Sequence, residues 1–396
     1  MNDLHSPISP NTDLMWPEAG VRLEVNQINN FLIWAAEQNA SDIKIQGSEP
    51  VRIYVDGLAR AVTPYKVEND SADRILTRLY GESGKGLLAN KQAIDFSHEI
   101  KIDRLKNIRF RVCVAPVTAH GVRTHQTTLR IIPNSAPTFD DLGTEDSIQK
   151  AWLAKKGLSF ITGETGSGKS TLMAAGTKAL LMNGCGEIQS FENPIEFVFN
   201  DITCEDSWIS QTEIPTQLGS FSEALIVSMR RYPKVIIVGE CRDPETIEAA
   251  INASQQGSAV YTTSHARTVI ATLDRLGNVF PENERDSRSI DVLELLNIVV
   301  SQRLELNPQG GRTALKEWLV FDSALVDELI PMGRKQRRPI LTDAFSSLGQ
   351  TMEASALQAY DEGKIYKNTL LSILPAQPFQ VVVPSQGMGT PSEVGS

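Results

Sequence analysis

Several features that would assign a chain to a class early are scarce here. Of 396 residues only four are cysteine (Cys113, Cys185, Cys204 and Cys241), and none forms a CxxC pair. That spacing suits neither a zinc site nor a disulfide framework, and it predicts a reducing, cytosolic compartment. Long apolar runs are missing too. The stretch 31–36 (FLIWAA) is far short of the ~20 residues needed to cross a bilayer. The first twenty residues carry no Lys or Arg and no apolar segment of the kind a secretory signal requires. Positive charge is not in excess: 38 Lys and Arg against 48 Asp and Glu give a net charge of −10, so direct nucleic-acid binding is not indicated. What is present is an ordinary globular balance, 41% hydrophobic and 22% charged, and length enough for two or three domains of ~150 residues.

Composition and periodicity divide the chain. Residues 1–20, with three prolines, read as a flexible leader, and 375–396, with four prolines and no basic residue, as a disordered tail. Residues 21–133 read as a small α+β domain. It starts with a helix, since Ile28, Phe31, Leu32, Ala35 and Ala36 recur at helical spacing. Alternating strands follow around 43–45 and 51–55, with Asp56-Gly57 as a turn signal. A short helix over 72–80 and strands over 93–100, 108–116 and 127–132 complete it. Pro133-Asn134-Ser135-Ala136-Pro137 marks a linker, taken as 134–142. From 143 to 330 short apolar strands (158–162, 187–191, 235–238, 259–262) alternate with helical segments (169–182, 221–231, 244–256), the pattern of an α/β fold with a parallel sheet. A hairpin over 298–306 and 313–321 closes this block, and 331–374 reads as a peripheral helical extension.

The sharpest chemical signal lies in that second block. Gly163-Glu164-Thr165-Gly166-Ser167-Gly168-Lys169-Ser170 is a complete GxxxxGK[ST] between an apolar strand and a helix, the context a phosphate-binding loop requires. Glycines let successive backbone N–H groups curl around phosphate oxygens, and the helix adds its positive end. Lys169 supplies a point charge for the β- and γ-phosphates of ATP, and Ser170 a hydroxyl for Mg2+. Thr171 completes the candidate nucleotide-binding set. Downstream, the strand 235–238 (VIIV) runs into Gly239-Glu240, placing a carboxylate where it can hold Mg2+ directly or through water. Glu192, in Phe191-Glu192-Asn193-Pro194-Ile195-Glu196, is the candidate acid/base for the attacking water. Alone, Glu192 and Glu196 equally fit solvated turn residues. Asp243, before Pro244, reads as a helix N-cap. His265 sits just past the last parallel strand, on the edge that faces the nucleotide. Arg109 and Arg111 share one face of a strand, opposite Phe110 and Val112. They fit either a solvated sheet face or arginines offered to a neighbouring subunit's γ-phosphate. The run 333–338 (GRKQRR) fits an exposed basic turn.

These segments resemble the PilT/GspE-type secretion ATPases. The loop GETGSGKS corresponds to their Walker A, ENPIE (192–196) to the Asp box, VIIVGECRD (235–243) to Walker B and YTTSH (261–265) to the His box. QTEIP (211–215), SMRR (228–231), SIDVLE (289–294) and EWLVFD (317–322) are most similar to the DotB/TraJ branch, the ATPases of type IV-B secretion and IncI-type conjugation. The resemblance covers roughly 21–330. It implies a PAS-like N-terminal domain joined to a RecA-like P-loop ATPase domain, assembled as a homohexamer. It further implies cytoplasmic location at the inner membrane, contact with membrane components of a secretion or conjugation apparatus, and ATP and Mg2+ as ligands. Carried over residue by residue, it makes Glu192 the acid/base, Glu240 the Mg2+-linked glutamate and His265 the His-box residue, with Arg109 and Arg111 reaching the nucleotide. The sequence departs from the pattern at Asn193, at Gly257-Ser258 where many members have Gly-His, and at Ser264-His265-Ala266-Arg267. A pilus-retraction motor and an ATP-gated, non-hydrolysing scaffold are the rival expectations.

Overall fold

The computed structural model describes residues 14–55, 58–103, 107–132, 135–199 and 202–375. The turn signal Asp56-Gly57, the first two linker residues, most of the proposed leader and nearly all of the proposed tail lie outside them.

The first part of the chain builds one antiparallel sheet. After a helix α1 (Ile28–Glu37) come β1 (Asp42–Gln46), β2 (Arg52–Val55), β3 (Leu58–Ala61), α2 (Asn69–Tyr80), α3 (Ser83–Ala89), β4 (Ile94–Lys101), β5 (Asn107–Ala119) and β6 (Val122–Ile132). Their spatial order is β3-β2-β1-β6-β5-β4. Helix α1 buries Ile28, Phe31, Leu32 and Ala35, and α2 buries Ala72, Ile75, Leu76 and Leu79 against one face of the sheet. On β5 that face is Ile108, Phe110, Val112 and Val114, as period-two alternation requires. The β5–β6 connection is a two-residue loop, His120-Gly121, with both φ positive (49° and 79°), the geometry that matches strand twist.

One expectation fails at the start of the chain. Trp16 is only 3% exposed, its ring 5.2 Å from Phe31, and its amide donates to Val62 O. Leu23 and Ala19 are buried with it, so the stretch from Trp16 to Gly20 belongs to this core rather than to a loose leader. The neighbouring prolines suggest disorder, but a buried indole outweighs them.

The second part is a mixed eight-stranded sheet, ordered β14-β13-β12-β7-β11-β10-β8-β9. Its elements are α4 (Asp146–Trp152), β7 (Gly157–Thr162), α5 (Lys169–Met182), β8 (Gly186–Glu192), β9 (Ser207–Glu213), α6 (Phe221–Met229), β10 (Val235–Val238), α7 (Pro244–Gln255), β11 (Ala259–Ser264), α8 (Val269–Asn278), α9 (Arg285–Leu295), β12 (Leu296–Leu306), β13 (Arg312–Val320), α10 (Ser323–Leu329), α11 (Arg337–Leu348), β14 (Gly349–Gln350), α12 (Met352–Asp361) and α13 (Lys367–Ile373). Strands β12, β7, β11, β10, β8 and β9 run parallel, while β13 and β14 are antiparallel additions. Every residue of β7, β10 and β11 is buried, the consequence of helices on both faces. Asp243 caps α7, accepting from the amide of Thr246 at 2.8 Å. The linker expectation is also revised. Ala136 and Phe139 are buried, Phe139 edge-on to Trp152 with centroids 6.2 Å apart, and Lys178 Nζ donates to Ala136 O. This segment is a packed flap over α5.

Trp152 sets a tight constraint on α5. A Cβ at Gly176 would lie 2.2 Å from Trp152 Nε1 and 2.3 Å from Cε2. Helix propensity alone favours Ala over Gly by ~1 kcal/mol, whereas forcing a methyl into a packed core costs ~1–3 kcal/mol. Gly176→Ala should therefore lower the melting temperature, by the equivalent of roughly 1–2 kcal/mol. An unchanged or raised thermal midpoint would contradict this packing.

Candidate functional site

The loop between β7 and α5 is shaped by its glycines. Gly163, Gly166 and Gly168 take φ of +144°, +81° and +85°, conformations that side chains resist. Gly163 has a further reason to be glycine, since a Cβ there would stand 2.2 Å from Gln302 O and 2.6 Å from Ser167 Oγ. Strand β12 lies directly behind the loop, and Gln302 Nε2 donates to Ser167 O at 2.7 Å. Ser167 Oγ is buried without a hydrogen-bond partner. Glu164, Thr165, Gly166 and Ser170 are exposed at the mouth, and Thr171 is half-buried beside them. Lys169 is buried and folds back, its Nζ donating to Gly163 O and Glu164 O, both at 2.8 Å. Burial pushes its pKa down, opposed by the charges of Glu240 and Glu196.

Two cavities flank this loop. One of about 240 Å³ lies between residues 163–167, the end of β12 and Arg267. The other, about 50 Å³, is walled by Ser170, Thr177, Ser190, Glu192 and Thr263. Two residues singled out from separate motifs, Ser170 and Glu192, thus face one small space. Glu192 is half-buried at the end of β8. Its Oε1 accepts from the Ser190 hydroxyl and from Gln211 Nε2 at 3.2 Å. Burial raises its pKa above the ordinary glutamate value; those two bonds and the Glu196 amide hold it partly back.

Glu240 leaves the end of β10 and pairs with Arg242, Nε to Oε2 at 2.6 Å. His265 Nε2 lies 3.5 Å from the same oxygen and 3.4 Å from Arg242 Nη2. Burial lowers the pKa of His265, and the charges of Lys169 and Arg242 add to this against Glu240.

The arginines are covered within the chain rather than standing on a solvated sheet face. Arg109 is 4% exposed and donates to Ile195 O (3.1 Å) and Glu196 O (3.4 Å). Arg111 reaches Glu196 Oε1 and Asp95 Oδ2, both at 3.3 Å. The face of β5 read as solvated is therefore covered by the segment that follows Glu192, and both guanidinium groups engage that segment rather than the phosphate-binding loop. Sequence reasoning missed three partners: Gln302, Gln211 and Glu213. Gln211 and Glu213 lie in the stretch QTEIP, but strand β9 lacks the apolar run that would have located it.

The donor set fits a nucleotide with a hard cation. Backbone N–H groups at a helix start, a lysine and an unpartnered buried hydroxyl suit phosphate oxygens. Among the described residues no cluster of three or more His, Cys, Asp or Glu could hold a metal by itself. Mg2+ bound through one hydroxyl, water and the substrate's phosphates needs no such cluster.

Residues 19–338 match the family model described as Type II/IV secretion system protein. The Type IV pilus retractation ATPase PilT of Pseudomonas aeruginosa is 32% identical over 298 residues, 75% of this chain and 83% of that protein. Among solved structures, the ATPase DotB of Legionella pneumophila superposes with a TM-score of 0.83 at 33% identity, covering 91% of this chain and 98% of DotB. The pilus retraction motor PilT with bound ADP gives 0.77 at 30%, covering 89% and 98%. The α/β ATPase fold with its mixed sheet is the fold of these proteins.

The loop's contact with β12 generates a test. Gly163→Ala should weaken binding of a fluorescent ATP analogue at least tenfold, with the far-UV circular dichroism unchanged. Wild-type affinity would mean that the loop does not need its close approach to Gln302.

Proposed function

Because the chain belongs to the Type II/IV secretion system protein family, we propose that it is a Mg2+-dependent ATPase. We read it as a homohexamer at the cytoplasmic face of the inner membrane, coupling hydrolysis to translocation in a type IV-B-like secretion or conjugation apparatus. The first sheet is read as the PAS-like domain, the parallel sheet as the RecA-like motor, and the helices after residue 331 as the C-terminal extension. No helix among the described residues is long and apolar enough to cross a membrane, so attachment would be peripheral.

The observation that carries this reading is the shared cavity of Ser170 and Glu192 beside a complete phosphate-binding loop. In this reading residues 163–168 and the start of α5 bind the phosphates, while Lys169 leaves its loop carbonyls to meet the β- and γ-oxygens. Ser170 and Glu240 hold Mg2+, the latter through water. Bound Mg2+ would neutralise charge developing on the transferred phosphoryl group. Glu192, with its raised pKa, takes the proton of the attacking water, help worth ~10²–10⁴ in rate. His265 keeps Glu240 and Arg242 in register.

The resemblance to DotB supports secretion or conjugation as the process served. A retraction motor is the second reading, favoured by the similarity to PilT along three quarters of the chain. Deleting the gene and scoring plasmid transfer, secretion and pilus retraction together separates the two.

Lys169→Ala and Glu240→Gln should each reduce steady-state phosphate release to background. Unchanged rates in both would refute the ATPase reading, and negligible release by the unmodified hexamer would favour a scaffold. A raised pKa on the base also has a sign. As pH falls the carboxylate is lost earlier than an ordinary glutamate would lose it, so kcat should decline on its acid side above the normal glutamate range. Glu192→Gln should remove that limb together with most of the rate.

A further inference from the structure

The link between the two sheets converges on one carboxylate outside the expected site. Glu213 ends β9 directly beside Glu192, which ends β8, and the Ile214 amide donates to Glu192 O at 2.8 Å. Glu213 Oε2 accepts from two directions: from the hydroxyl of Ser97, on β4 of the first sheet, at 2.9 Å, and from the amide of Ile195 at 3.3 Å. Its other oxygen accepts from Thr216 Oγ1, and its own amide donates to Gln217 Oε1, so the side chain is held from both ends. The segment 195–196 is thus gripped on its N–H by Glu213 and on its carbonyls by buried Arg109. Further along the same segment, Phe197 O accepts from Gln211 Nε2 at 2.7 Å, and the same amide group donates to Glu192 Oε1 at 3.2 Å. A chain of contacts therefore runs from Ser97 through Glu213, the segment 195–197 and Gln211 to Glu192.

We propose that Glu213 is a positioning residue through which the first sheet sets the geometry of Glu192: it ties the Ser97 hydroxyl to the Ile195 amide and so keeps the segment 195–197 on Gln211, which holds the Glu192 carboxylate. This rests on Glu192 acting as the base in ATP hydrolysis. The charged groups that face Glu192 are Glu196, whose charge raises its pKa, and Arg109, whose positive charge Glu192 shares with Glu99 and Glu213. When Glu213 lets go, the segment 195–197 no longer holds Gln211 against the Glu192 carboxylate. When the first sheet shifts, Ser97 moves with it, and the hydrolytic geometry follows.

The test uses the whole chain and five variants. Glu213→Gln keeps size but loses charge and one acceptor. It should lower kcat about tenfold and leave the KM for ATP within twofold because the phosphate-binding loop is untouched. Ser97→Ala should do the same more weakly, and Ser97→Thr, which keeps the hydroxyl, should restore the rate. The double variant Ser97→Ala/Glu213→Gln should be no slower than Glu213→Gln alone, since both act along one chain of contacts. Wild-type kcat in Glu213→Gln would overturn the proposal, as would additive losses in the double variant. If Glu213→Gln does not fold, the Ser97→Ala and Ser97→Thr pair gives the same readout. Lys169→Ala serves as the control. If it retains turnover, the ATPase reading fails. If it is dead while Glu213→Gln is unaffected, only the positioning role fails.

Discussion

The contact on which the site depends is the approach of β12 to the phosphate-binding loop. With Gln302 O only 2.2 Å from where a Cβ would stand, the first loop residue has to be glycine, and the loop's path is dictated by a strand more than a hundred residues downstream. Side-chain bonds extend this knitting. Thr162 Oγ1 donates to Ala266 O at 2.7 Å, and Ser301 Oγ donates to Arg267 O at 2.8 Å, tying the ends of β7, β11 and β12 together. Because these strands are parallel, their carboxyl ends emerge on one edge, and residues following β8 and β10 arrive on the same side. Glu192 and Glu240 reach that edge through strand direction, and the loop's backbone N–H groups through β12.

The two sheets are joined by different chemistry from that which holds each together. The apolar cluster of the first sheet holds residues from Trp16 to Ile131, and those of the second begin at Ala136. Between the sheets stand polar contacts instead: Arg109 on two carbonyls, Arg111 on Glu196, Ser97 on Glu213. A buried charge that loses its partner costs ~3–5 kcal/mol, whereas an exposed pair such as Arg267–Glu164 contributes ~0–1 kcal/mol. Hence the interface is strong in its present register yet specific to it, since every buried donor has to find a new acceptor if the sheets turn. Apolar surfaces can slide through intermediate positions, whereas hydrogen-bonded charges favour discrete ones.

What was legible in the sequence follows from how local each signal is. The loop at 163–170 declares itself because its chemistry needs fixed residue types at fixed spacing, and β7, β10 and β11 because strands covered on both faces are continuous apolar runs. Strand β9 was missed: SWISQTE has no such run and leaves Trp208 exposed, since an edge strand needs only one covered face. Helix α9 was missed because its first turn and a half, Arg285 to Ser289, is polar, whereas α8 carries a legible stripe at Val269, Leu273 and Leu276 that was overlooked. The solvated-face reading of Arg109 fails for a different reason. Alternation on β5 correctly separates its two faces, but what covers the second face comes from residues 195–196, and no local pattern encodes that pairing. Trp16 teaches the same lesson, since the partners that bury it lie around Phe31 and Val62.

The lysine gives the arrangement its last consequence. A buried ammonium without partners is costly, and Lys169 meets that demand with the carbonyls of Gly163 and Glu164. Charge-assisted bonds of this kind contribute ~1.5–3 kcal/mol each. An incoming triphosphate therefore exchanges two neutral acceptors for anionic ones rather than satisfying an empty donor, and the gain is the difference between the two. Of the two loop carbonyls, that of Glu164 also accepts from the Ser167 amide at 3.2 Å, so it would keep a donor in that exchange. Gly163 is packed against Gln302 O and has no room to turn away. The demand for a new donor therefore falls on the Gly163 carbonyl, at the point where the loop has least freedom to move.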